Sequence, residues 1–280
     1  MKAFNDFSNK EPSFWAFIKF ISENLGYTKR YQGIVKSYST DEVIHLCKDH
    51  NIPINPDIIS DAILYCKMRA DLLNSSAQTA LMDAKTAEKE FNKLFELYQA
   101  EHLTCLIPMN KQKGSKRKIA FFTSIINILT ELTIRSVVKS VSSKGFDDDP
   151  HNLAYIRSTD GSIIGASSRR FDGIYPNISN PKIVWEIKEY YYTKSFGSRI
   201  ADGIYETQLD GFEFKELYNR TGKKVYHILF VDAYSTWWLQ GKSYLCRIID
   251  MLNAGFVDEV IIGREVLTRW PELLSSIISQ

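Results

Sequence analysis

The chain has 280 residues, 44% of them hydrophobic and 24% charged, which is the composition of an ordinary folded protein and excludes a disordered or fibrous one. Its formal net charge of +2 excludes a general polycation, so any nucleic-acid site must come from local charge. No segment approaches the roughly 18 to 20 apolar residues that cross a bilayer, and the polar start does not resemble a signal peptide. We therefore expect a cytoplasmic protein with no membrane partner.

The four cysteines are widely spaced, and none forms a Cys-x-x-Cys pair. A structural zinc site is therefore not expected, and buried free thiols are favoured over disulfides. The four are Cys47, Cys66, Cys105 and Cys246.

The first hundred residues have apolar side chains at helical spacing. Helices are predicted to begin near Pro12, at Ser39 or Thr40, at Asn55 and at Thr86. We interpret residues 1–110 as an all-helical region that could serve DNA recognition or dimerisation. The turn at 51–56 could join two helices into a helix-turn-helix reader of DNA. Ordinary helix packing is the favoured interpretation, because the second helix has few basic residues near its start.

A strongly basic segment separates this region from the next. Its cations are Lys111, Lys113, Lys116, Arg117 and Lys118. Such a segment could bind DNA phosphates or could be a solvated surface loop, and the sequence leaves both interpretations open. The apolar stretch at 119–138 predicts a mostly buried helix, whose one conspicuous acid, Glu131, could form an ion pair or point toward a site.

From about residue 150 onward, short strands alternate with helices. The predicted strands cover 162–166, 170–175, 182–190, 225–232 and 257–262. Helical spacing marks 195–218 and 242–254. This order of elements predicts an α/β fold in which helices flank a central mixed β-sheet.

Three charged residues fall on two strands that the turn at 176–181 would join as a hairpin. Side chains alternate across a strand, so Glu186 and Lys188 share one face of an otherwise apolar strand. The hairpin would bring Asp172 close to Glu186. Charges are costly to bury unless they are paired or bind a metal ion, so this placement favours a functional site over a simple same-face ion pair.

Two carboxylates and a nearby backbone carbonyl make a hard oxygen site, which suits Mg²⁺ and allows Mn²⁺ to substitute. Lys188 would add a positive charge beside a scissile phosphate, and we expect partial burial and the metal to lower its pKa. The predicted catalytic residues are therefore Asp172, Glu186 and Lys188. Asp172 and Glu186 are the predicted metal ligands.

These residues resemble the PD-(D/E)XK nuclease superfamily, to which type II restriction endonucleases belong. In that superfamily an Asp precedes a Glu-x-Lys strand and both acids bind metal, a pattern that Asp172, Glu186 and Lys188 match. The proline expected before the Asp is absent, and Phe171 takes its place. The resemblance extends over about residues 120–265, includes the order of elements, and implies a restriction endonuclease-like core.

Other candidates surround this motif. Members of the superfamily often place a polar residue on the helix after the Glu-x-Lys strand, a position that Gln208 could fill. Some place an acid on the helix before the hairpin, as Glu131 would be, so both residues are candidates to line the site. Two arginines just before the Asp, and two cations and a hydroxyl near the start of the helix that follows the Glu-x-Lys strand, are candidate contacts for DNA phosphate. These are Arg169, Arg170, Lys194, Ser198 and Arg199.

The resemblance implies that residues 111–280 form the catalytic domain of a Mg²⁺-dependent DNA endonuclease. We expect a type II restriction endonuclease that acts as a homodimer on double-stranded DNA, because the chain shows no appended module. One alternative is a DNA repair, recombination or phage-defence nuclease with structure-dependent specificity. Another is a non-catalytic DNA-binding protein that retains the fold. No Gly-x-Gly-x-x-Gly or Gly-x-Ser-x-Gly motif supports a different α/β enzyme.

Overall fold

Helices make up most of the first hundred residues of the computed structural model, which describes residues 1–29, 31–110, 118–138, 144–193 and 195–280. Their starts follow the local sequence, because polar side chains satisfy backbone N–H groups that have no partner inside a helix. Ser39 and Glu42 form a capping box, and the Asn55 side chain accepts two backbone hydrogen bonds. The helices are α1 (Pro12–Leu25), α2 (Thr40–Asp49), α3 (Pro56–Leu72), α4 (Gln78–Ala80) and α5 (Ala84–Ala100), with a π-helical turn at Leu73–Ala77.

A small hairpin interrupts this helical region, so the prediction that residues 1–110 are all-helical is wrong at this point. Strands β1 (Thr28–Lys29) and β2 (Ile34–Val35) pair antiparallel between α1 and α2. Gly33 has a φ of 64°, which lets the chain turn between the strands without steric cost. Each strand has two residues, which is too short for alternation to show in the sequence.

Strands and helices alternate in the rest of the chain. The helices are α6 (Phe121–Val137), α7 (Ser198–Thr221), α8 (Tyr234–Trp237), α9 (Lys242–Asn253) and α10 (Val266–Ile278). The strands are β3 (Tyr155–Arg157), β4 (Ile163–Ala166), β5 (Gly173–Tyr175), β6 (Ile183–Glu189), β7 (Tyr226–Asp232) and β8 (Glu259–Ile262), and a 3-10 turn at Gly263–Glu265 precedes α10.

The central sheet has four strands in the order β5-β6-β7-β8. The β5–β6 pair is antiparallel, whereas β6–β7 and β7–β8 are parallel and are connected through α7 and α9. β3 and β4 form a separate antiparallel pair. A mixed α/β architecture with a four-stranded mixed sheet is therefore confirmed.

The two faces of β6 contact different helices. Trp185 packs edge to face on Trp270 of α10, with ring centroids 5.5 Å apart, and Glu189 accepts hydrogen bonds from the backbone N–H and hydroxyl of Thr123 at the start of α6. The opposite face carries Glu186 and Lys188 and lies against α7. Helices therefore flank the sheet on both faces, and the charged side chains point into the layer between β6 and α7.

A fully buried arginine joins α3 to α9. The Arg69 guanidinium Nη1 lies 2.9 and 2.8 Å from the two carboxylate oxygens of Asp250, and the Tyr65 hydroxyl donates to the same carboxylate at 2.6 Å. Nη2 donates to the Ser22 hydroxyl at 3.0 Å. We call these four residues the Arg69 cluster. It connects the helical bundle formed by α1, α2 and α3 to the region that contains the sheet.

Two further expectations concern the whole chain. The four cysteines are free and buried, as predicted. Among the described residues, no helix combines the length and the hydropathy needed to cross a membrane.

Candidate active site

The site is built on the antiparallel pairing of β5 with β6. Gly173 lies opposite Trp185, so one step further along the register places Asp172 opposite Glu186. Two hydrogen bonds fix Asp172 there: its backbone N–H donates to the carbonyl of Trp185 at 3.1 Å, and its Oδ2 accepts from the Ile187 N–H at 2.7 Å. The two carboxylates are therefore cross-strand neighbours.

Glu186 and Lys188 form a buried ion pair on the face of β6 that contacts α7. Their side chains are 3% and 8% exposed, and Lys188 Nζ lies 3.0 Å from Glu186 Oε2. Gly203 of α7 makes room for the lysine, because a methyl group added at Gly203 would lie 3.3 Å from Nζ. A buried strand thus presents an acid and a lysine that compensate one another's charge.

Arg169 is a second cation at the same acid. Its Nη2 lies 2.8 Å from Glu186 Oε1, and its Nε donates to both carboxylate oxygens of Asp210, at 3.1 and 2.9 Å. Glu206 Oε2 lies 3.9 Å from Nη1. Arg169 was predicted only as a DNA-phosphate contact, and the structure pairs it with acids of the site instead. We call Arg169, Glu186, Lys188 and Asp210 the Arg169 cluster.

Asp210 is the member of this cluster that the sequence analysis missed. It lies on α7 and is fully buried, on the same side of the helix as Gly203 and Thr207, which are buried as well. An acid within the buried stripe of an amphipathic helix is the signal that could have identified it. Its partner could not be identified in the same way, because Arg169 is 41 residues away in sequence.

Two acids of the site hold their protons more tightly than usual. Protein atoms crowd the carboxyl group of Asp172 although the residue stays open at the surface. This loss of water, reinforced by the Glu186 carboxylate, raises the pKa of Asp172 to about 6. Burial raises the pKa of Asp210 to about 7, because it outweighs the opposing effect of Arg169. Together with Glu186, these two acids give the site three carboxyl groups beside its two cations, Arg169 and Lys188.

Without a bound metal ion the pKa of Lys188 is raised, whereas partial burial and a metal ion together were predicted to lower it. Burial alone would lower this pKa, but the attraction of the Glu186 carboxylate, supported by Asp172, outweighs burial. Lys188 is therefore an ammonium ion at neutral pH in the protein without metal.

The other two predicted contributors have different surroundings. Glu131 is fully buried on α6, where it accepts hydrogen bonds from the backbone N–H groups of Thr104 and Cys105 and pairs with Arg135, so it anchors the segment between α5 and α6. Gln208 is half-buried on α7, two positions before Asp210. Of the two, the structure shows a role for Glu131 that does not involve the site.

The candidate phosphate contacts have varied surroundings. Arg170 and Ser198 are exposed, and Lys118 Nζ lies 5.0 Å from the centroid of the Tyr192 ring. The remaining candidates lie outside the described residues: Lys111, Lys113, Lys116, Arg117, Lys194 and the side chain of Arg199.

The donor set fits a hard cation that keeps most of its water. Within the described residues, no group of three or more His, Cys, Asp or Glu side chains is arranged to hold a metal ion. Mg²⁺ needs fewer protein ligands, because it usually binds through one or two carboxylates and retains several waters. Asp172 faces solvent, and its Oδ1 makes no hydrogen bond to a described residue. Asp172 and Glu186 are thus the residues that could hold Mg²⁺.

The mixed sheet with helices on both faces places the chain in the α/β class. Residues 82–277 match the sequence model of a family described as Domain of unknown function (DUF7687), and because the match covers more than half of the chain, the chain belongs to this family. Residues 1–76 match a second family, described as Domain of unknown function (DUF7690). None of the curated proteins or solved structures compared with the chain matches it. Asp172, Glu186 and Lys188 all lie within the longer match.

Proposed function

We propose that this protein is a Mg²⁺-dependent DNA endonuclease with a PD-(D/E)XK-like catalytic core. The observation that carries the proposal is the position of Asp172 opposite Glu186, with Lys188 two residues further along the same buried strand. The surroundings support it, because a mixed sheet flanked by helices presents these three side chains on one face. An excess of acid over cation at such a place is typical of a metal site.

Each of the three residues would have a distinct role. Asp172 and Glu186 would hold Mg²⁺, which supplies Lewis acidity toward the scissile phosphate when bound. Lys188, kept cationic by its acidic neighbours, would stabilise the negative charge that grows on the phosphate as water attacks. Glu186 would hold the ammonium group in place at 3.0 Å, and the absence of a side chain at Gly203 would leave the space that this group occupies.

Within this class we favour a type II restriction endonuclease that works in the cytoplasm as a homodimer on double-stranded DNA. A nuclease of DNA repair, recombination or phage defence, with structure-dependent specificity, is the alternative. A non-catalytic DNA-binding protein is a further candidate, and one observation favours it: a guanidinium group already neutralises Glu186, as it would in a site that binds no metal.

Cleavage of a defined plasmid tests the proposal. We expect the wild-type protein to cut with Mg²⁺ or Mn²⁺ and not in chelator, and Asp172→Ala, Glu186→Ala and Lys188→Ala each to abolish cutting. Glu216→Ala serves as the control, because it removes an acid that is 68% exposed on α7 and should leave cutting unchanged.

Sequencing the cut ends separates the finer alternatives. Discrete fragments support a restriction endonuclease, whereas cuts at junctions or ends support a structure-dependent nuclease. DNA binding without cutting under every metal condition supports the non-catalytic candidate. Full cleavage in chelator by a preparation free of other nucleases contradicts the metal-dependent mechanism.

A further inference from the structure

We infer that Arg169 is an internal counter-cation that Mg²⁺ displaces from Glu186, and that Asp210 is the residue that retains the displaced guanidinium. The inference rests on the proposed function, because it concerns the metal ligand Glu186. It adds that Arg169 competes with Mg²⁺ for Glu186 and thereby sets the affinity of the site for the metal ion.

Both carboxylate oxygens of Glu186 are already in contact with a cation. Oε1 lies 2.8 Å from Nη2 of Arg169, and Oε2 lies 3.0 Å from Nζ of Lys188. A metal ion that binds Glu186 must therefore displace or share one of these contacts. The structure favours displacement of Arg169, for three reasons.

The first reason is confinement of the lysine. Lys188 extends from the strand that carries Glu186, its side chain is 8% exposed, and even a methyl group added at Gly203 of α7 would lie 3.3 Å from Nζ. The Arg169 side chain is 25% exposed and comes from the segment before β5. Arg169 therefore has space to move toward solvent, whereas Lys188 has not.

The second reason is the geometry of the contact. Nη2 of Arg169 is shared between two acids, because it lies 2.8 Å from Oε1 of Glu186 and 2.9 Å from Oδ2 of Asp210. Glu186 is therefore held through one nitrogen and not through two parallel bonds. Breaking a contact of this kind costs less free energy than breaking an aligned, bidentate pair.

The third reason is that Arg169 has another partner. Nε donates to both oxygens of Asp210 at 3.1 and 2.9 Å, and these bonds do not depend on Glu186. Glu206, more than half exposed, lies 3.9 Å from Nη1 on the solvent side. Nη2 itself lies 2.9 Å from Oδ2 of Asp210, so a small shift of the Arg169 side chain would leave Glu186 while the charge of Asp210 stays neutralised. Asp210 would otherwise be a buried, unpaired acid.

Calorimetric titration of the full chain with MgCl₂, without DNA, tests the inference. We expect Arg169→Gln to bind Mg²⁺ several-fold more tightly than the wild type, because the competitor is gone. Asp210→Asn should bind several-fold more weakly, because Arg169 then has only Glu186 as a close buried partner. The double variant should behave like Arg169→Gln, since Asp210 acts through Arg169. Arg220→Gln, which removes an exposed cation of α7, should change the affinity little.

Thermal unfolding provides a second readout. Arg169→Gln leaves the buried Asp210 without its cation and Glu186 with Lys188 alone, so its Tm in chelator should fall below that of the wild type and Mg²⁺ should raise it by more. If Arg169→Gln does not fold, the double variant is compared with the wild type in its place. The double variant removes one positive and one negative charge together.

The outcomes distinguish the inference from the proposed function. Equal or weaker Mg²⁺ binding by Arg169→Gln, with wild-type binding that Asp172→Ala abolishes, overturns the inference and leaves the nuclease proposal standing. A wild-type protein that binds no Mg²⁺ overturns both if Arg169→Gln binds none. Mg²⁺ binding by Arg169→Gln but not by the wild type would support the inference, because Arg169 would then exclude the metal ion completely.

Discussion

The Arg69 cluster and the Arg169 cluster both place an arginine among acids inside the protein, but they differ in charge balance and in access to water. Arg69 is fully buried and faces one acid, Asp250, whose carboxylate also accepts a hydrogen bond from a tyrosine. Arg169 is a quarter exposed and shares its charge between Glu186 and Asp210.

The difference separates a structural ion pair from a site that can do chemistry. In the Arg69 cluster each charge has one opposite partner, so adding a cation would leave an excess of positive charge. In the Arg169 cluster, with Asp172 opposite Glu186, three carboxyl groups face two cations. Of the two clusters, the Arg169 cluster is therefore the one where a further cation is electrostatically favourable.

The largest expected effect follows from an isosteric change in each cluster. Glu186→Gln should lower DNA cleavage by roughly 10³-fold or more, because it removes a metal ligand and the partner of Lys188. Its free energy of unfolding should fall by less than that of Asp250→Asn, since Asp210 still pairs with Arg169 and Asp172 still lies near Lys188. Plasmid cleavage and urea unfolding measure the two quantities. A variant that cuts at a near wild-type rate would exclude Glu186 from catalysis.

Asp250→Asn is the matched change in the other cluster, and we expect the opposite pattern. It should unfold at lower urea concentration, because the buried Arg69 charge then lacks its partner. Cleavage per folded molecule should remain close to the wild-type value. If Asp250→Asn abolished cleavage in fully folded protein, the division between the two clusters would be wrong.

Removal of Arg69 should be the most destabilising single change at the Arg69 cluster. Arg69→Met leaves Asp250 and Tyr65 without their cation, and a broken buried pair typically costs about 3 to 5 kcal/mol of unfolding free energy. Arg247→Met is the control. Arg247 pairs with Glu23 at a partly exposed position, where such pairs contribute about 0 to 1 kcal/mol. Similar losses in the two variants would argue against a special role for burial.

The stability of the Arg169 cluster should depend on pH in a defined direction. Asp210 has a pKa of about 7 in the folded protein against an ordinary value of 3.8, so the folded state binds its proton more tightly. Its stabilising contribution is complete below the ordinary value and is lost as the pH rises through about 7. The stability advantage of the wild type over Asp210→Asn should therefore be greater at pH 5 than at pH 8, by about 1 kcal/mol or more.

Urea unfolding at both pH values measures that difference. Glu216→Gln, at an exposed position of the same helix, should show no such change with pH. A difference between wild type and Asp210→Asn that is independent of pH would show that Asp210 is ionised throughout this range.

The smallest expected effect concerns the space that Gly203 leaves for Lys188. In Gly203→Ala the new methyl group would lie 3.3 Å from Nζ, so the ammonium group must shift by a few tenths of an ångström. Cleavage should fall by roughly three- to fivefold, since misplacing a group at a reacting centre costs rate. Gly197→Ala, where no atom lies within 4 Å of the added methyl, is the control. An unchanged rate in Gly203→Ala would show that Lys188 tolerates displacement.

The parts of the site that the sequence predicted are those determined by alternation along one strand. β6 is a continuous apolar run broken only by charged residues, so the common face of Glu186 and Lys188 could be deduced from a period of two. The hairpin before it placed Asp172 opposite Glu186. A local pattern was sufficient because each of these relations spans 16 residues or fewer.

The parts that could not be predicted depend on contacts between distant segments. Arg169 reaches Asp210 across 41 positions, and Glu131 reaches Thr104 across 27, so neither partner is visible from the spacing around the residue itself. The same reason explains the fold elements that were missed. The β1–β2 hairpin is held by the Asn74 side chain, which bonds both backbone groups of Val35. The sequence of the hairpin itself contains no alternation of apolar and polar residues that predicts it.

The Arg69–Asp250 contact also has a consequence for how such chains can be assembled in evolution. Arg69 lies in the segment that matches one family and Asp250 in the segment that matches another. If recombination joined residues 82–277 to a different leading segment, Asp250 would keep its charge and lose the guanidinium that neutralises it. The exchange would therefore succeed only if the incoming segment supplied a cation at the same point. The two segments are thus expected to be inherited together, and Arg69 and Asp250 to be replaced as a pair or not at all.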